Sequence, residues 1–188
     1  MVSTGRIRVL GVDPGLAGTG IGIVTGRGVR VDGFAFGSIT TSAGVALADR
    51  LDCIYHRLLD VLKKERPDLM VVEDIFSLEA YPKSGILLGK VAGVVLLAGC
   101  HVGVPAAEIP VREAKHILTG NGSATKVQLE KAVRHQLSMS EPIRPFHASD
   151  ALGLALIGLF RYGDAAGRAS LCRLGAGAGS GGNGERMS

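Results

Sequence analysis

Apolar residues alternate or run together through the first forty positions and then recur at three- and four-residue spacing, so strands lead and helices with further strands follow. Residues 7–12, 18–24 and 29–39 predict three strands, punctuated by Pro14-Gly15 and Gly26-Arg27-Gly28. Connections this short imply antiparallel neighbours. Over residues 43–64, Val45, Leu47, Leu51, Ile54, Leu58, Leu59 and Leu62 predict an amphipathic helix, with Thr41 or Ser42 available as its cap. Pro67 ends that pattern. Leu69-Met70-Val71-Val72 is then a short continuous apolar segment of the kind expected for a central parallel strand buried on both faces, with Glu73 at its exit.

Residues 83–98 predict a second helix, whose Gly85, Gly89, Ala92 and Gly93 would let another backbone or a ligand approach closely. Residues 106–109 form a fifth strand, Pro110 suits the first turn of a helix running to Leu118, and Gly120-Asn121-Gly122 breaks that helix. A helix over residues 125–137 follows. The last begins near His147, after Pro142 and Pro145, and buries Ala148, Ala151, Leu152, Ala155, Leu156, Leu159 and Phe160 at helical spacing. This order describes an α/β domain with a mixed five-stranded sheet flanked by helices, because only helical crossovers bring the later strands in parallel. Beyond Tyr162 the apolar pattern lapses, and residues 175–188 are mostly glycine and other small or polar residues. Residues 1–163 are therefore read as one domain and residues 164–188 as a Gly-rich, disordered tail.

Composition narrows the class. A chain of 188 residues with 46% hydrophobic content can bury one good core without staples. Its three cysteines, Cys53, Cys100 and Cys172, are widely spaced and form no C-x-x-C pair, which favours a reducing, cytoplasmic setting. The N-terminus lacks the apolar run of a secretory signal. The longest apolar runs, residues 91–99 and 151–160, fall short of the roughly 20 residues that span a bilayer, so a soluble protein is expected. Net charge is +4. Between residues 111 and 137, Arg112, Lys115, Lys126, Lys131 and Arg134 face only Glu113 and Glu130, a local surplus of +3 that could form a phosphate-binding surface or simply a solvated helix face.

Three acidic residues stand where elements end or begin: Asp13 after the first strand, Glu73 after the fourth, and Asp150 in the first turn of the last helix. Strand ends are where α/β proteins place their chemistry. Asp13 follows Val-Leu-Gly-Val with no local cation, and burying it unpaired would be expensive. Mg²⁺ answers this, since hard cations take oxygen ligands and keep waters for a substrate. Two such ions about 4 Å apart can activate water and stabilise the leaving oxygen in phosphodiester cleavage. Singly, Asp13-Pro14-Gly15 also reads as a turn, and Asp150 as an acid favoured by the helix dipole. Three such coincidences in one chain are far less common than any one. His147, three residues before Asp150, would share its helix face and could bind metal or carry a proton.

Four segments carry a family resemblance: Gly11-Val12-Asp13-Pro14-Gly15 followed by Gly18-Thr19-Gly20; Val72-Glu73-Asp74-Ile75-Phe76; Gly120 through Lys126; and His147-Ala148-Ser149-Asp150-Ala151-Leu152. In order and spacing they resemble the RuvC family of crossover junction endodeoxyribonucleases, from about Val9 to Tyr162. The resemblance implies an RNase H-like fold, with Asp13, Glu73, His147 and Asp150 as the catalytic, metal-binding positions, two Mg²⁺ ions per site, and Mn²⁺ as a substitute. Many relatives have Asp where this chain has His147, so the site carries three carboxylates and one imidazole. It further implies that Lys115 and Lys126 lie near the scissile phosphate and that Phe76 reaches bases at the junction centre, although alone Phe76 also reads as a core residue. A homodimer would bind a four-way junction and cut two strands of like polarity symmetrically, leaving ends that ligase can seal. A branch-migration motor complex is the implied partner. Two alternatives share parts of the pattern. One is an RNase H-like nuclease acting on another nucleic acid. The other is an actin-like or sugar-kinase-type ATP-binding protein, for which the chain lacks a second phosphate loop.

Overall fold

The computed structural model describes residues 5–74, 84–164, 166–167 and 169–170, together with the backbone of residues 82 and 83. Strands β1 (Ile7–Asp13), β2 (Gly18–Arg27) and β3 (Arg30–Thr40) are followed by α1 (Leu47–Glu65), β4 (Leu69–Asp74), α2 (Pro82–His101), β5 (Ala106–Pro110), α3 (Val111–Thr119), α4 (Lys126–Gln136) and α5 (Phe146–Tyr162). The five strands form one mixed sheet in the order β3-β2-β1-β4-β5. β1, β2 and β3 run antiparallel, whereas β4 lies parallel to both β1 and β5. The sequence pattern anticipated a mixed sheet with antiparallel first strands and Leu69–Val72 as a wholly buried central strand, but not the order of the strands.

Alternation along the strands divides the core between the two sheet faces. Leu10, Val12, Ile21, Ile23, Met70 and Val72 pack with Ile54, Leu58 and Leu62 of α1 and Val91, Val95 and Ala98 of α2. Val9, Val24, Leu69 and Val71 pack instead with α5 and with the inner faces of α3 and α4. The second face is unusually close. A Cβ on Gly11 would lie 1.9 Å from the Ala151 carbonyl oxygen, one on Gly20 1.9 Å from that of His147, and one on Gly22 2.4 Å from the Leu152 amide nitrogen. Only glycine at these strand positions lets a helix backbone lie directly on the sheet.

Several details differ from expectation. α1 starts at Leu47, capped by Ala46 without a side-chain hydrogen bond, rather than at residue 43 under Thr41 or Ser42. Thr41 is otherwise engaged: its hydroxyl donates to the Leu16 carbonyl at 2.5 Å and accepts from Arg50 Nε at 2.8 Å, tying the end of β3 to the β1–β2 loop. α2 is longer than predicted, and Ser84–His101 is long and apolar enough to cross a membrane by length and composition, contrary to the reading from apolar runs. Glycines interrupt those runs without ending the helix. Its Val91, Val95 and Ala98 are packed into the core of this fold. Phe76, Cys172 and residues 175–188 lie outside the described residues.

Candidate active site

Period-two alternation puts Asp13 on the face of Val9 and Gly11, and Glu73 on the face of Leu69 and Val71, which is the α5 side for both. Because Val12 pairs with Val72 across parallel strands, the two carboxylates emerge side by side at the same end of the sheet, and they share a hydrogen bond. The glycine-permitted seating of α5 delivers Asp150 from its first turn to the same place. Lys115 of α3 and Lys126, the first residue of α4, close the other side, with Lys126 Nζ 3.9 Å from Asp150 Oδ2. Thr125 and Gln128 fix Lys126 at that helix start by a reciprocal capping box. The cleft so formed encloses about 90 Å³ over an apolar wall of Val111, Ala114, Leu129 and Leu154. Ordinary small-molecule pockets run to roughly 300 Å³ or more, so this cleft is a small one.

Crowding in a partly apolar cleft changes the protonation of Asp13 and Asp150. Burial, the hydrogen bond and charge of Glu73, and the charge of Asp150 together push the Asp13 carboxyl up to about 9, against a smaller opposing pull from Lys126. Asp150 is pushed up to about 6, chiefly by burial, with Lys126 and Lys115 opposing the shift and Glu73 adding to it. A cation among these groups would reverse both shifts, since it favours the charged carboxylate. Asp150 Oδ1 is buried without a hydrogen-bond partner among the described residues. The described His, Cys, Asp and Glu side chains do not form a closed group of three or more around one point. Few protein oxygens in an open cleft suit Mg²⁺, which retains much of its own water, better than a complete protein cage does. The donor set therefore fits a hard divalent cation.

The sequence-predicted residues separate into groups. Asp13, Glu73, Asp150, Lys115 and Lys126 meet in the cleft. His147 lies one turn before Asp150 and does not line it; its ring fills the space beside Gly18, where a Cβ would come within 3.0 Å of Nε2. That Nε2 is buried without a hydrogen-bond partner among the described residues, and burial, then the charge of Lys126, lowers the His147 pKa. The ring is thus held neutral, with a nitrogen lone pair to offer. The basic stretch is not one surface: Arg112 borders a neighbouring groove with His116 and Ser123, Lys131 lies on a separate groove with His135, and Arg134 turns inward to Glu130 and the Ser140 carbonyl. Sequence reasoning gave no reason for the alternate glycines Gly18, Gly20 and Gly22, although their spacing of two on a strand was visible.

Comparison with known proteins agrees with this geometry. The family model described as crossover junction endodeoxyribonuclease RuvC matches residues 9–158. RuvC of Prosthecochloris aestuarii is 38% identical over 151 residues, covering 80% of each chain, and RuvC of Caldanaerobacter subterraneus is 35% identical over 150 residues, covering 80% of this chain and 90% of its own. The solved structure of Thermus thermophilus RuvC in complex with a Holliday junction substrate superposes with a TM-score of 0.76 at 32% identity, covering 82% of this chain and 93% of that one. The mixed sheet with its flanking helices is accordingly the RNase H-like fold of those neighbours. With three carboxylates gathered at the ends of β1, β4 and the start of α5, and with likeness running from Val9 to Gly158, this chain belongs to the RuvC family of crossover junction endodeoxyribonucleases.

Proposed function

We propose that the cleft between β1, β4 and α5 is the catalytic centre of this endonuclease, with Asp13, Glu73 and Asp150 holding divalent cations and Lys115 and Lys126 receiving the scissile phosphate. The activity is that of the family: endonucleolytic resolution of Holliday junctions in DNA recombination and repair. The observation that carries the residue assignment is the convergence of three acids, distant in sequence, with two lysines in one small cleft. Mg²⁺ or Mn²⁺ bound there would activate water and stabilise the leaving oxygen. The chain's own part is positional and electrostatic. Asp13 and Glu73, fixed on adjacent strands, present oxygens from a rigid support. Lys126 and Lys115 set positive charge where negative charge grows on the phosphoryl oxygens. His147, held neutral, offers a nitrogen to a cation or accepts a proton.

The reading extends to a homodimer that cuts two strands of like polarity across a four-way junction, acting with a branch-migration motor complex. α2 supports the dimer: Ile86, Lys90, Gly93, Leu97 and Cys100 form an exposed, mostly apolar stripe, and no described residue lies within 4 Å of a Cβ placed on Gly89 or Gly93. Small residues four apart permit close helix contact, and a two-fold enzyme would match a two-fold junction. The test is cleavage of a synthetic four-way junction with divalent cation supplied or chelated, beside an RNA–DNA hybrid duplex. Cation-dependent, paired incisions in the junction alone are expected. Preferential cutting of the hybrid would overturn the substrate, and undiminished cutting with chelator would overturn the metal role.

A further inference from the structure

Glu130 is buried, with 5% of its surface exposed, yet it lies on α4 outside the cleft. Carboxylates are seldom buried so fully unless their oxygens are engaged. Its Oε1 accepts the backbone N–H of Ile143 at 2.9 Å and stands 3.4 Å from Nε of Arg134, one turn further along α4. Arg134 in turn donates from Nη1 to the Ser140 carbonyl at 2.8 Å. Two side chains of α4 therefore grip the segment between α4 and α5, and Ile143, wholly buried, is three residues before α5 begins.

The same helix starts with Lys126, four residues before Glu130 and so on the same face. Lys126 approaches Asp150 on α5 at one end of that face, while Glu130 holds the lead-in to α5 at the other. One turn beyond Glu130, Val133 packs at Gly153, where a Cβ would meet Val133 Cγ2 at 3.3 Å. α5 is already fixed to β1 and β2 by backbone contact at Gly11, Gly20 and Gly22. What those contacts leave open is the register of α4 against α5. A charge-assisted hydrogen bond to a buried backbone amide is short, directional and stiff, which suits a register pin.

We infer that Glu130, braced by Arg134, is a positioning residue that sets the register of α4 against α5 and thereby the placement of Lys126 against Asp150. The inference rests on the reading of the cleft given above. Displacement of a catalytic group by about 1 Å can cost up to a hundredfold in rate, so loosening the pin has a kinetic signature separable from loss of stability.

The test is single-turnover cleavage of a four-way junction already bound to the full-length enzyme, well below the unfolding temperature. Glu130→Gln keeps an acceptor for the Ile143 amide and is expected to cut within about threefold of wild type, whereas Glu130→Ala slows cutting by about tenfold or more at unchanged junction affinity. Amide exchange at Ile143 should quicken in Glu130→Ala. In the Lys126→Ala background the further loss from Glu130→Ala should shrink to about threefold or less, because the register then has no lysine to place. A folded Glu130→Ala enzyme with the wild-type rate overturns the inference, as do losses that simply multiply in the double variant. Should Glu130→Ala fail to fold, Arg134→Ala stands in, expected about threefold slower with an unaltered salt dependence of binding; a wild-type rate would be fatal. Asp13→Asn separates the two readings: normal cutting by that variant sinks the cleft itself, while its inactivity beside a normal Glu130→Ala sinks only the pin.

Discussion

α2 and α5 are both long, glycine-containing and apolar nearly all round, yet the fold treats them differently. α5 is buried from Ala148 to Leu159 except at Asp150, because the strands beneath it present Gly11, Gly20 and Gly22 and let its backbone lie on theirs. α2 buries Val91, Ala92, Val95, Ala98 and Gly99 but leaves Ile86 61% and Leu97 48% exposed. The difference lies in the partners. Glycines of α5 such as Gly158 meet Val9 and Val71, whereas Gly89 and Gly93 of α2 meet none of the described residues. Hydrophobic composition thus states how much surface a helix could hide, and the facing element states whether it is hidden or left open.

That contrast can be broken at several points. Gly11→Ala should do most damage, since its methyl would collide with the Ala151 carbonyl and lift α5 from the sheet; a loss of about 3 kcal/mol or more in urea unfolding is expected, with cleavage abolished. Wild-type stability would show that α5 is not pinned as described. Asp13→Asn and Glu73→Gln leave the packing intact and should reduce cation-dependent cleavage by about a hundredfold or more while junction binding persists. Gel-shift and cleavage assays on the same samples separate the two properties. On the opposite face, Leu97→Asp should weaken self-association by about 2 kcal/mol without lowering the urea midpoint of the monomer, read by sedimentation. An unchanged oligomer would remove α2 as the interface.

Protonation sharpens the comparison further. Folded Asp13 keeps its proton up to about pH 9, but its ordinary value is 3.8, so between these limits the folded chain binds more protons than the unfolded one. Stability of the cation-free protein should therefore fall as pH rises through that window. Asp13→Asn should flatten the fall and melt higher than wild type at pH 8 with chelator present. A steeper pH dependence in the variant would contradict the burial of Asp13. The smallest effect belongs to Gly89→Ala, which should strengthen α2 by about 0.5–1 kcal/mol in the monomer and yet loosen the dimer, if helices meet there. Gains in both measurements would place the interface elsewhere.

The succession of strands and helices and the three candidate acids were legible because each depends on local patterning: alternation, continuous apolar runs and carboxylates at element ends. The start of α1 was not, since Thr41 binds Leu16 across the sheet rather than capping the helix that follows it. The basic stretch misled for a related reason. Charge in a linear window carries no direction, and α3 and α4 send Lys115 and Lys126 to the cleft while turning Arg134 inward. Glu130 counted in that window only as a negative charge and is a buried hydrogen-bond acceptor for a residue thirteen positions away.

By itself the amino-acid order determined which segments become strands and helices, and which side chains bring chemistry to strand ends, because those properties follow from spacing along one element. Tertiary structure alone decided that Asp13, Glu73 and Asp150 share a cleft, that His147 stands beside it with a buried nitrogen, and that one apolar helix is sealed while another keeps an open stripe. Those outcomes depend on how closely two backbones approach, and that distance is set by glycines on one element answering the surface of another far along the chain.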